Sequence, residues 1–191
     1  MPPAEFRKML PMINRIKRIV AVVLLTMALG LGLLTSAFAQ AQVGEKAPVF
    51  NTTTMDGKRV ALKDYWEQKG HKAIVLSFFA TWCQRCKEDL KYLNALQQEL
   101  GSKGFQVLTV LTQDPSSDKT EAVKKLFSDL AVDLPVLLDE YGIIGKRYAV
   151  TALPCNALID KDGILRAKYL GYSDAVKKDF EGRMKPLLSP P

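Results

Sequence analysis

Trp82-Cys83-Gln84-Arg85-Cys86 stands where an unbroken apolar run, residues 73–80, gives way to a helical repeat over residues 87–100. Two cysteines separated by two residues close a small ring when they are oxidised. At a strand-to-helix junction the first of them meets free backbone N–H groups and the positive end of the helix dipole. Both lower a thiol pKa and make the thiolate available for attack. A Cys-x-x-Cys in this setting reads as a redox pair. A zinc site needs a second Cys/His pair at ligand spacing, and the chain offers only Cys155 and the distant His71. A c-type haem attachment needs histidine after the second cysteine, where Lys87 stands. A structural bridge gains most by closing a long loop, and this loop is short. No metal is expected here.

Outward from the pair, the helix puts Leu90, Leu93, Leu96 and Leu100 on one face, and Gly101 and Gly104 end it. Residues 73–80 read as a strand buried on both faces, and residues 105–111 as the next one. After a polar loop at 113–116, Asp118 or a neighbour caps a helix to about Leu130, with Val123, Leu126, Phe127 and Leu130 inward. A strand is predicted over 134–139 and a short helix over 141–148, which holds Gly142 and Gly145. Leu153-Pro154 leads into a strand at 155–160, turned by Lys161-Asp162-Gly163 into a partner at 164–170. A last helix opens at Ser173 or Asp174 and reaches about Met184, with a frayed tail from Pro186. Upstream, an extended lead-in at 40–50 precedes a predicted hairpin of 51–54 with 58–61 around Met55-Asp56-Gly57, then a helical turn at 62–66. The whole is an α/β fold, a central mixed β-sheet flanked by helices with an N-terminal β-hairpin extension.

The front of the 191-residue chain has a different character. Arg7, Lys8, Arg15, Lys17 and Arg18 precede an uncharged apolar run at 19–34 and then Thr35-Ser36-Ala37-Phe38-Ala39-Gln40. That order predicts a secretory signal peptide over residues 1–39, cut after Ala39, or else an uncleaved membrane anchor, with one domain over 40–191. The net charge of +7 arises from 27 basic and 20 acidic residues; without the segment's five basic residues and Glu5, 22 remain against 19, a net +3. That charge gives no sign of nucleic-acid binding. Export places the three cysteines where disulfides persist, a pair plus one.

Thiol–disulfide exchange needs an attacking thiolate and a second thiol within reach to resolve the mixed disulfide. Cys83, exposed at the helix mouth, is the attacker; Cys86, one turn in and more buried, is the resolver. Arg85 adds positive charge that favours a Cys83 thiolate unless its side chain turns to solvent, and Gln84 is solvated. Asp89, three residues after Cys86, shares its helix face and reads either as the group that takes the resolver's proton or as a solvated acid early in a helix. Glu88 is a surface residue, and Trp82 shapes the rim of the site. His71, the only histidine, reads as a surface residue, which removes Cys–His nucleophilic catalysis.

Ala80-Thr81-Trp82-Cys83-x-x-Cys86, Leu153-Pro154, residues 157–163, the opening 44–50 and Asp56-Gly57 together resemble the thioredoxin superfamily, and within it the TlpA/ResA-like thiol–disulfide oxidoreductases. The resemblance covers residues 43–184 and implies a thioredoxin-like fold. It implies that Pro154 is a cis-proline packed against the disulfide, next to Leu153, where an extended substrate is held. It also places Asp89 at the position of an acid that follows the second cysteine in these proteins. Ser77 stands where thioredoxin has a buried aspartate. Arg85 replaces the usual proline before the second cysteine, Leu90 a helix-kinking proline, and Cys155 a threonine. Cys155 is therefore either a third active-site thiol or a buried small hydrophobe.

The function expected is an exported enzyme that reduces specific protein disulfides, as in cytochrome c maturation. It works in the bacterial periplasm, free or anchored facing it. The redox-active disulfide itself is the only cofactor. Apocytochrome c is a possible partner, a membrane electron donor recycles the pair, and membrane contact is confined to the N-terminal segment. A thiol peroxidase is the first alternative, but Leu76 and Ala80 occupy the places of its loop proline and threonine. A copper-holding metallochaperone is the second; such sites generally recruit Met or His as well.

Overall fold

The computed structural model describes residues 15, 17, 18, 20, 40–67, 70–112 and 119–189. The chain divides into two compact units, residues 1–38 and 39–191. In the first, Arg15, Lys17, Arg18 and Val20 are helical and exposed. The apolar run at 19–34 apart from Val20, the Ala39 cleavage site, the 113–116 loop and the Asp118 cap lie outside the described residues.

The second unit is organised on β3 (Ala73–Phe79), in which every residue is buried. Its neighbours are β4 (Phe105–Leu111), parallel to it, and β6 (Cys155–Asp160), antiparallel. Outside these lie β5 (Val136–Leu138), parallel to β4, and β7 (Leu165–Leu170), antiparallel to β6, giving the order β5-β4-β3-β6-β7. An apolar run with no polar alternation can be a strand only where both faces are covered, and here both are. Val75 and Phe79 face one apolar layer, packed by the leucines of α2 (Gln84–Leu100), by α3 (Lys119–Leu130) and by Phe180 and Met184 of α5 (Asp174–Leu188). Ile74, Leu76 and Phe78 face the other, with Phe50, Leu62, Tyr65, Ile144 and Tyr148. α1 (Asp64–Glu67) and α4 (Ile143–Arg147) supply part of that second layer.

The predicted hairpin is β1 (Asn51–Thr53) with β2 (Arg59–Ala61), turned at Gly57 with φ +81°. It reaches the main sheet at β5, where the Met55 N–H donates to Val136 O and Thr52 Oγ1 donates to Leu138 O. The lead-in is pinned rather than loose: the Ala41 N–H donates to Arg147 O, Gly44 to Leu165 O and Ala47 to Gly163 O.

Four boundaries differ from expectation. α2 begins at Gln84, three residues before the apolar repeat, because Cys83 is its N-cap and the first turn shows polar side chains outward. α5 runs through Pro186 to Leu188 instead of fraying. Proline in a last turn forgoes one hydrogen bond, and Leu187 and Leu188 pack on the core. β5 is only three residues long, since Pro135 has no N–H to offer a ladder. α4 is confined to Ile143–Arg147: Gly142 (φ +64°) enters it and Asp139 accepts from the N–H groups of Ile144 and Gly145.

Candidate active site

Three chain segments meet at the Cys83–Cys86 pair: the end of β3, the start of α2 and the approach to β6. Cys83 has extended backbone (φ −79°, ψ 107°) and caps α2, its Sγ accepting the Cys86 N–H at 3.2 Å. A sulfur there sits among the free N–H groups of the first turn, which favours negative charge on it. The two cysteines are joined as a disulfide with Cα atoms 5.3 Å apart. Cys83 is 7% exposed and Cys86 1%. The order of exposure is the expected one, but Cys83 is sunk at the helix mouth rather than openly exposed.

Asp89 is 2% exposed, one turn beyond Cys86 on the buried side of α2, which corrects the alternative of a solvated acid. Its Oδ2 accepts from Ser77 Oγ at 3.2 Å, and Asn156 Nδ2 donates to Oδ1 and Oδ2 at 2.9 and 3.0 Å. Burial pushes the carboxyl up to about 6, against the opposing pull of the Asn156 and Ser77 hydrogen bonds. The carboxylate missing from β3 at Ser77 is thus supplied by α2, and Ser77 serves it as donor. Asn156 was not singled out from the sequence; its only signal was an amide between Cys155 and the apolar residues 157–159, two residues after Pro154.

The Leu153–Pro154 peptide is cis. Pro154 is buried, its carbonyl accepts the Gly171 N–H at 2.7 Å, and half-buried Leu153 touches both apolar layers. Arg85 spends its guanidinium on Tyr172 O, 3.0 Å away. That hydrogen bond ties α2 to the segment after β7. Gln84 and Glu88 are exposed. Trp82, 63% exposed, walls a cleft of about 490 Å³ with Thr112, Lys146, Val150 and Leu153. A larger cleft, about 630 Å³, lies between the hairpin and α4 and contains none of the pair's residues.

The AhpC/TSA family pattern matches residues 43–168. The chain belongs to the AhpC/TSA family. Thiol-disulfide oxidoreductase ResA of Bacillus anthracis is 32% identical over 174 residues, covering 89% of this chain and 94% of that one. Thioredoxin-like protein YneN of Bacillus subtilis is 30% identical over 144 residues, 75% of this chain and 79% of that one. The crystal structure of a candidate thiol:disulfide interchange protein DsbE from Chlorobium tepidum superposes with a TM-score of 0.68 at 27% identity, over 78% of this chain and all of that one. This AhpC/TSA family member is a thiol–disulfide oxidoreductase of thioredoxin-like fold.

Two further residues take definite places within this AhpC/TSA fold. Cys155 is free and fully buried, and its side chain belongs to the layer on the opposite face of the sheet from Cys83 and Cys86. Burial pushes its thiol up to about 11, with Lys168 pulling the other way. The sheet stands between it and the pair, so it is a packed small hydrophobe and not a third active-site thiol. His71 is half-buried and stacks on Tyr65 with ring centroids 5.6 Å apart, where a plain surface residue was expected. Among the described residues no group of three or more His, Cys, Asp or Glu is placed to hold a metal, and no helix is long and apolar enough to cross a membrane.

Proposed function

We propose that this thiol–disulfide oxidoreductase is exported and reduces specific protein disulfides, with Cys83 attacking and Cys86 resolving. The observation that carries the assignment is the Cys86 N–H aimed at Cys83 Sγ at the mouth of α2, which favours a thiolate on that sulfur. The Cys83 thiolate attacks a substrate disulfide and forms a mixed disulfide, releasing one substrate thiolate that takes a proton from solvent. Asp89 takes the proton of Cys86. The Cys86 thiolate then displaces the second substrate sulfur from Cys83, and the pair ends as a disulfide. Two electrons have passed to the substrate.

The cis-proline edge and the Trp82 cleft hold the extended substrate, with Leu153 at their junction. Residues 1–39 direct export to the bacterial periplasm, as a cleaved signal peptide or a retained anchor. A membrane electron donor returns the pair to the dithiol, and no further cofactor takes part. Apocytochrome c fits the substrate class on the strength of the family resemblance.

Substitution tests the assignment. Cys83→Ser abolishes exchange, and Cys86→Ser accumulates mixed disulfides through Cys83, seen by mass spectrometry without reductant. Loss of turnover from Cys155→Ser alone would overturn it. Direction is read from the reduction potential in defined thiol buffers: about −270 mV or lower for a reductant, against about −120 mV for a disulfide donor.

A further inference from the structure

Asn156 is 4% exposed in β6, paired in register with Ser77 of β3 and turned to the α2 side of the sheet. Its Nδ2 serves both carboxyl oxygens of Asp89. Its other end, the buried Oδ1, accepts no hydrogen bond from any described residue. Buried polar atoms are almost always paired, so an amide kept only to fill space or tie two elements would have both ends satisfied.

The unpaired oxygen has a chemical reading. A carboxylate offers only lone pairs, so a neighbouring amide must present its NH₂ end and turn its carbonyl aside. A carboxylic acid carries an O–H as well. It pairs with a primary amide through two bonds at once, acid O–H to amide oxygen and amide N–H to acid oxygen. Reorientation of the Asn156 side chain would bring Oδ1 into that second arrangement. Ser77, with a single hydroxyl, donates to the ionised form and can accept from the acid, but it cannot make both bonds to the carboxyl at once as the amide does.

We propose that Asn156 is a positioning residue for the resolving step, its side-chain amide serving Asp89 both with and without the proton that comes from Cys86. The proposal rests on the reading of Asp89 as that proton's acceptor. The Cys86 S–H bond breaks and the proton passes to Asp89, whose new O–H bonds to Asn156 Oδ1. The Cys83–Cys86 bond forms, the bond from Cys83 to the substrate breaks, and the departing substrate thiolate is protonated by solvent. Asp89 later returns its proton to solvent.

The groups facing Asp89 leave its titration readable. On α2 they are the cysteine pair and Tyr92, whose hydroxyl donates to Glu181 of α5. From β7, Tyr169 stands opposite Asn156 and donates to Asp179 of α5. Burial drives both phenols far above the ordinary tyrosine range. Cys155 of β6 faces away, with Lys168 of β7 near it. Ser77 and Thr109, from β3 and β4, do not titrate, and His71 stacks on Tyr65 of the opposite layer.

The experiment follows release of a peptide thiol from the preformed Cys83 mixed disulfide across pH 4–9 in the full chain, with carboxyl and side-chain amide NMR. Asn156 serves both forms, but its charge-assisted bonds to the carboxylate are the stronger set, so Asn156→Leu is expected to move the acid limb of release and the Asp89 carboxyl midpoint together to higher pH, by about one unit, which is about tenfold slower release on that limb. In the unsubstituted protein the Asn156 amide resonance is expected to titrate with the Asp89 midpoint, a measurement that needs no variant to fold. An unmoved limb and midpoint in Asn156→Leu, or an Asn156 amide indifferent to Asp89 protonation, overturns the proposal. An acid limb that persists in Asp89→Asn overturns the reading of Asp89 instead.

Discussion

Desolvation and hydrogen bonding pull the Asp89 carboxyl in opposite directions, and desolvation wins, lifting it from 3.8 to about 6. The folded state therefore holds this proton more tightly than the unfolded chain. Its stabilising contribution is fully present below about pH 3.8 and is lost as pH rises through about 6. Asp89→Asn, which resembles the protonated state at every pH, is expected to unfold at higher urea than the parent at pH 7.5, by on the order of 3 kcal/mol. The gain should vanish near pH 4; equal stability at both pH values would show that the carboxyl is not held against its ionisation. Cys155→Ala should leave disulfide exchange unchanged in a turnover assay, because the sheet separates that thiol from the pair. Cys83, Cys86 and Pro154 were legible in the sequence because their chemistry is written in residue type and spacing. Asp89 was half legible: its helix face could be read, but whether that face met solvent depended on a strand distant in the chain. Asn156 was not legible, since it matters only through the carboxylate it meets 67 residues away.

α2 presents the cysteine pair, so whatever seats this helix also seats the chemistry. One device is Gln97. β5 reaches β4 only from Thr109 onward, leaving the earlier part of that edge open. Gln97 closes it, Oε1 accepting the Val107 N–H at 2.6 Å and Nε2 donating to Phe105 O at 3.3 Å. Asn94 does the same for the turn after α3, donating to Ala131 O and accepting the Asp133 N–H. Gln97→Ala strands a half-buried N–H and should cost about 1–2 kcal/mol in denaturant unfolding. A change below about 0.3 kcal/mol would mean that water replaces the amide without loss. Elements set by apolar runs were legible at their full length: β3, β4 and β6 fall within a residue of expectation. Elements set by caps were not. A cysteine as N-cap leaves no mark in hydrophobic periodicity, and a helix that carries Pro186 through its last turn contradicts the local rule because Leu187 and Leu188 find the core.

Across the whole fold, protection should fall from the centre of the sheet outward. β3 is paired on both sides and covered on both faces, whereas the hairpin of β1 and β2 rests on β5 through a few hydrogen bonds. Native-state hydrogen exchange should find the amides of β3 opening only with global unfolding and those of β1 and β2 opening at lower free energy. Uniform protection would mean that the hairpin folds as one unit with the sheet. The same gradient gives Cys155 an unintended use. In the oxidised protein it is the one free thiol, sealed beneath an apolar layer in β6. A maleimide therefore has a single target per chain, reachable only when that layer parts. The half-life of labelling becomes a stopwatch for unfolding, built into the chain and needing no engineered reporter.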